Sequence, residues 1–192
     1  MTPPDPTPLG TGSIGRQKIA TVVGIALLAG VVVWFATSPN RDGANPIVGT
    51  ASGDPKLVGD GEMGRVTEEI GHTVFWAGQR PGTRIEMSHD EIGNAHVRYL
   101  TGGAVPGDPD QTYLDIGTYP FNGARAATRN LAGEQGLERI TVSGGVGFFD
   151  PERPTSVYLV FTDRPDYQVE VYHPDGDGAL EVALSGDIVP MP

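Results

Sequence analysis

The chain predicts an α+β fold: a mainly antiparallel β-sheet with one or two short helices, preceded by a single N-terminal transmembrane helix. Three observations carry this. Short stretches with alternating or continuous apolar character, rich in aromatic and β-branched residues, recur through residues 73–172. Helical spacing appears in only two short segments, and most connections are brief and rich in Gly, Pro and Asp, as an antiparallel sheet requires. The third is an uncharged apolar run near the N-terminus, Ile19–Ala36 (IATVVGIALLAGVVVWFA).

Residues 1–18 open on MTPPDPTPLGTGS, whose Pro and Gly content predicts a disordered cytoplasmic tail. The apolar run of residues 19–36 comes next. At about 1.5 Å per residue it spans roughly 27 Å, close to a hydrocarbon core of about 30 Å. Trp34 and Phe35 stand at its far end, where aromatic rings favour the headgroup region. The run has no polar stripe, unlike a helix buried in a globular core. Arg16 and Lys18 precede it, so the positive-inside rule keeps the N-terminus in the cytoplasm and exports the residues beyond the run. A cleaved signal peptide fits less well: the run exceeds a signal core of about 7–15 residues and no clean A-x-A site lies after it. The lipid bilayer is therefore an expected partner through residues 19–36.

Residues 37–65 hold six glycines and Pro39, Pro46 and Pro55, with little apolar content. They predict a flexible tether, so that a chain starting near Val66 would fold on its own. The domain is placed at residues 66–192. Its expected strands are Thr73–Ala77, Thr83–Ser88, His96–Leu100 and Tyr113–Tyr119. In the second half they are Arg139–Ser143, Val146–Phe149, Ser156–Thr162 and Tyr167–Tyr172. The stretch Asp90–Asn94 (DEIGN) is the expected turn of one hairpin, and Asp163–Asp166 that of another. Phe121, Ala124, Ala127 and Leu131 recur at helical spacing with Gly133 as a stop. A last helix is expected over Ala179–Leu184, capped by Asp177 and ended by Gly186.

The charge is uneven. The chain carries −11, and residues 1–37 hold +1 (Arg16 and Lys18 against Asp5), which leaves −12 for residues 38–192. Such a domain repels phosphates, so no nucleic-acid partner is expected, and cations or basic groups are the easier guests. The absence of cysteine excludes disulfides, thiolate catalysis and zinc–thiolate sites.

The motifs TVFWAG, HVRYL, YLDIGTYPF, VYLVF…DYQVEVYHP and ALSGDIVPM occur in that order between Ile70 and Pro192. In them the chain resembles a group of uncharacterised, membrane-anchored extracytoplasmic proteins of high-GC Gram-positive bacteria. The resemblance implies a shared fold and an anchored, extracytoplasmic location. It brings no activity, substrate or catalytic residue.

No catalytic, cofactor-binding or metal site is assigned from the sequence. Four histidines (His72, His89, His96 and His173) are candidates. His89 and His96 flank the DEIGN turn near Asp90 and Glu91, a set with metal-ligating chemistry. Strand parity separates them: His89 shares a face with Ile85 and Met87, whereas His96 lies opposite Val97 and Tyr99. The DGDG run at Asp175–Gly178 resembles part of a calcium loop, but Glu181 falls too early for its closing ligand, and a turn with a helix cap accounts for it. Asp108 and Asp110 sit in a Pro-Gly turn. G-x-S-x-G, S-x-x-K, HExxH, P-loop and dinucleotide patterns are absent. Most aromatics, from Phe75 to Tyr172, are expected in the core, with a few lining a ligand or partner surface. The leading expectation is a non-enzymatic interaction or cell-envelope domain with an envelope protein or glycan as partner. The alternatives are an envelope hydrolase and a cation or small-ligand sensor.

Overall fold

A computed structural model describes residues 51–192. The expected tail, the Ile19–Ala36 segment and the first part of the tether lie outside the described residues, among which no helix is long and apolar enough to cross a membrane. The chain runs β1 (Ala51–Val58), α1 (Met63–Ile70), β2 (Phe75–Trp76), β3 (Arg84–Asp90), β4 (Ala95–Leu100) and β5 (Leu114–Pro120). It continues through α2 (Ala124–Leu131), β6 (Glu138–Val142), β7 (Gly145–Phe149), β8 (Ser156–Phe161), β9 (Arg164–Tyr172), α3 (Gly176–Ser185) and β10 (Val189–Pro190). Eight strands form one antiparallel sheet in the order β1-β3-β4-β5-β9-β8-β7-β6, and β2 pairs with β10 in a small second sheet. Two meanders, β3-β4-β5 and β6-β7-β8-β9, thus meet at their last strands.

Local chemistry fixes the connections. In the β3–β4 turn the Asp90 carboxylate accepts from the backbone N–H of Ile92 (3.0 Å) and of Asn94 (2.8 Å) and from the Asn94 amide (2.7 Å). Gly93 takes φ +89°, open to glycine at no steric cost. The hairpin expected around DEIGN is therefore present, in the register His89↔Ala95 and Ser88↔His96. The β8–β9 link is tighter than expected, because Arg164–Asp166 already belong to β9 and Phe161 pairs with Arg164.

The structure departs from the sequence expectation at three elements. Residues 51–58, expected in the tether, pair with β3 as an edge strand. An edge strand needs backbone hydrogen bonds and one anchor, here the buried Val58, so no apolar alternation announces it. Pro55 falls where the register shifts between Gly53 and Lys56, as suits a proline on an edge. A third helix, α1, spans the expected domain border. It buries Met63 and Val66 and ends at Gly71, whose φ is +81°. Finally, α3 begins earlier than expected: its cap is Asp175, whose side chain accepts from Asp177 N–H, and Gly186 ends it.

The sheet's first face, with α1, α3 and the β2/β10 pair packed on it, holds the main core. Val97, Ile116, Val157, Leu159, Val169 and Val171 are fully buried there. Phe75 stacks on Phe161 with ring centroids 5.1 Å apart, and its N–H donates to Thr118 Oγ1 at 2.9 Å. The second face is covered at both ends and polar between. At one end Ala132, Phe148 and Tyr158 form a small apolar cluster beside α2, and Gln168 donates to Thr128 Oγ1 on that helix (2.9 Å). At the other end the 101–113 loop folds over β3 and β4.

Candidate functional site

That loop is held by a buried ion pair. Glu86 and Arg98 are cross-strand partners on β3 and β4. Arg98 Nη1 lies 2.8 Å from Glu86 Oε1, with the carboxylate 1% and the guanidinium 18% exposed. Arg98 Nη2 donates to the carbonyls of Asp108 and Asp110, each at 2.9 Å, and Glu86 Oε2 accepts from Gly107 N–H at 2.6 Å. Both charges are thereby committed to each other and to the loop backbone. Arg84 adds a hydrogen bond to the Ala104 carbonyl. Asp108 and Asp110 sit in the turn the sequence suggests: Asp108 accepts from Asp110 N–H (3.0 Å) and from the Tyr113 hydroxyl (3.1 Å).

Between this loop and α2 the second face carries a cluster of polar and aromatic side chains at the centre of the sheet. His96, Gly117, Glu170 and Tyr158 face one another in register across β4, β5, β9 and β8. Gly117 is needed because Tyr119 folds back over it. A Cβ at residue 117 would stand 2.6 Å from the Tyr119 hydroxyl oxygen. The tyrosine ring therefore reaches the next strand and donates to Glu170 Oε2 at 2.8 Å. Tyr158 donates to the other oxygen, Oε1, at 2.9 Å, so two phenols brace one carboxylate. Burial, then the Glu170 charge, raises the pKa of both tyrosines well above the usual value, which keeps them protonated donors. Tyr172 on β9 donates to the Gln111 carbonyl at 3.0 Å.

His96, the cross-strand partner of Gly117, meets two side chains of β5. Its Nδ1 stands 2.9 Å from Asp115 Oδ2, and its ring meets Tyr119 edge-on at 5.8 Å. Burial opposes protonation of the imidazole, but Asp115, with Glu170 and Asp90 behind it, outweighs burial and raises its pKa. Asp115 itself is 6% exposed, and its second oxygen, Oδ1, has no hydrogen-bond partner among the described residues. Asp–His pairs orient the base of hydrolytic triads. Here the ring is bonded to the carboxylate, and no serine or threonine hydroxyl among the described residues is bonded to it.

The other candidates serve the backbone. The nitrogens of His72 stand 2.8 Å from the Thr73 carbonyl and 2.7 Å from that of Gly93, tying the start of β2 to the hairpin turn. His173 Nδ1 accepts from Asp175 N–H at 3.0 Å and packs against Gly178 at the start of α3. His89 pairs with Ala95 and is not brought to His96, as parity dictates. Among the described residues no three His, Asp or Glu side chains gather in a metal-binding arrangement.

Sequence reasoning placed His96 on the face away from the core but missed its partners. Asp115, Glu170, Tyr119, Tyr158 and Tyr172 lie on three strands whose pairing follows from the β5–β9 junction. A usable signal was present: Asp115 is the one charged residue in the central strand β5. No protein-family model, curated protein or solved structure matches this chain.

Proposed function

We propose that this chain is a membrane-anchored domain, displayed outside the cytoplasm, that binds a ligand or partner through the second face of its sheet, where the polar aromatic cluster lies, and does no covalent chemistry. The carrying observation is the braced carboxylate: Glu170 is fixed by two phenol donors beside an Asp-oriented histidine, with no hydroxyl nucleophile bonded to that histidine among the described residues. Such a set presents preorganised charge and aromatic surface rather than a reactive atom. The location rests on the apolar segment Ile19–Ala36 and its basic flank, Arg16 and Lys18.

Two measurements test the two halves of this reading. Protease added to intact, wall-stripped cells is expected to digest the chain after residue 38 and spare the N-terminal tail; a fully protected domain would reverse the topology. The purified full-length protein, incubated with cell-wall glycan and peptide fragments, is expected to release no product. Hydrolysis that disappears in His96→Gln would replace the binding reading with the hydrolase alternative.

A further inference from the structure

We propose that this domain docks onto a second copy of itself, head to tail, with α2 of one copy laid on α3 of the next. The contact uses the outer sides of two helices and not the polar aromatic cluster. It therefore goes beyond the reading of that cluster and does not depend on it.

Two helices of opposite charge carry the inference. The helix α2 has Arg125 and Arg129 and no acid, whereas α3 has Asp177 and Glu181 and no base. In both helices the two charges stand four residues apart, which places them one turn from each other on one side. That side is the outer one in each case. With Ala124, Ala127 and Thr128 buried, α2 leaves Arg125 partly exposed and Arg129 exposed. With Ala179, Val182 and Ala183 buried, α3 leaves Asp177 and Glu181 exposed. Leu184, 52% exposed, continues the α3 stripe by one turn and gives it an apolar end. On α2 the exposed Ala126 stands between the arginines, and so small a side chain lets another helix come close.

These charges find no partner among the described residues. The other lysine and arginine side chains there, Arg139 apart, each meet a carboxylate or a carbonyl. Nor do the helices themselves account for the placement. Asp177 and Arg129 suit the ends at which they lie, but Arg125 in the first turn of α2 opposes the helix dipole, and Glu181 stands too far inside α3 to gain from it. Around α2, Asp166 is occupied by the Gly123 N–H (3.4 Å), and Glu134 lies beyond the helix end. Arg139, paired with Phe148, adds a further free cation on the α2 side of the sheet.

The positions of the helices decide the symmetry. Thr128 of α2 accepts from Gln168, and Ala132 at its end packs with Phe148 and Tyr158. In contrast, α3 packs on β8 and β9 within the cluster that holds Leu159 and Val169. Neighbours along a strand point to opposite faces, so the two helices cover opposite faces of β8 and β9. A patch and its complement placed back to back cannot both be satisfied in one pair. The contact therefore repeats in one direction and stacks copies instead of closing a dimer. Residues 38–192 carry −12, so copies repel one another except where a basic side meets an acidic one.

The chain has no cysteine, which suits it to site-directed cross-linking. Full-length chains carrying Ala126→Cys are mixed with full-length chains carrying Leu184→Cys, at submillimolar concentration in mild detergent, and treated with a short bismaleimide. One chain is isotope-labelled, so that mixed and like products are told apart by mass. The mixed product is expected to dominate. Like products are expected to stay at the level given by Ile92→Cys on the exposed hairpin tip. Arg125→Glu/Arg129→Glu in the first chain is expected to lower the mixed product by about fivefold or more, since it turns attraction into repulsion, and Asp177→Arg/Glu181→Arg in the second does the same. Combining the two reversed chains restores the product, which also shows that both are folded. Raising the salt from about 0.1 M to about 1 M shortens the screening length from about 10 Å to about 3 Å and lowers the yield. A mixed product at the control level, like products as abundant as the mixed one, or a yield indifferent to both reversals would overturn the proposal. So would reversed chains that melt as the parent does but give no recovery together. None of these results depends on whether a ligand binds the polar aromatic cluster.

Discussion

Replacing Arg98 by alanine is expected to destabilise the domain by roughly 3–5 kcal/mol, because it leaves the Glu86 carboxylate buried and uncompensated. Glu86 is 1% exposed, and its alternative donor, Gly107 N–H, belongs to the loop that Arg98 also holds. For a domain of this length each kcal/mol lowers the melting temperature by about 2–4 °C, so a fall on the order of 10 °C is expected. The double variant Glu86→Met/Arg98→Met separates two effects. Removing both charges is expected to restore much of the thermal stability, since a buried pair and a well-packed apolar pair are often close in energy. It does not restore the loop, whose carbonyls at Asp108 and Asp110 have lost their donor. Hydrogen exchange across residues 101–113 should therefore be fast in both variants, whatever their melting temperatures. A single Arg98→Ala variant that melts like the parent, with a protected loop, would show that the pair is not what holds this end of the second face.

Truncation is expected to have an effect as large. A chain starting at residue 45 keeps every described element and should melt as residues 38–192 do. One starting at residue 66 deletes β1, with its pairing to β3, and removes Val58 and Met63, which are 6% and 2% exposed. Losing two such side chains from the core forfeits about 1.5–3 kcal/mol each, before the lost strand pairing is considered. That is a large share of the roughly 5–15 kcal/mol by which a domain is stable. The expectation that a chain starting near Val66 folds unaided is thus replaced by marked destabilisation. A start at residue 78 removes Phe75 and Trp76 as well. Phe75 stacks on Phe161, meets Tyr167 edge-on at 6.4 Å and bonds Thr118, so that chain is not expected to fold. Thermal melts of the three chains decide the matter. Equal melting of the first two would mean that β1 rests on the sheet without supporting it.

How far the sequence was legible depends on where the apolar signal is strong. Central strands such as Ser156–Phe161 (SVYLVF) announce themselves, because burial on both faces selects β-branched and aromatic residues. The β3–β4 hairpin was legible because Asp90, Gly93 and Asn94 do their work within five residues of each other. The helix cap was legible in kind but misplaced by two residues, since both aspartates of DGDG are competent caps and only the backbone angles choose Asp175. Strand β1 was not legible: an edge strand is stabilised by main-chain bonds that every residue but proline offers alike.

By itself the sequence determined the mainly antiparallel sheet, the acidic character of residues 38–192 and the face on which His96 stands. Each of these comes from composition or from a period of two along one strand. Only the tertiary structure decided what His96 stands beside. Asp115 is nineteen residues away and Glu170 is far beyond that, on strands whose neighbourhood depends on β5 pairing with β9 rather than with β6. The braced Glu170 depends further on Gly117, where the absence of a side chain lets the Tyr119 ring cross from one strand to the next. Periodicity records which way a side chain points, but the partner it meets is set by strand order and register, and these are settled by the packing of the whole core.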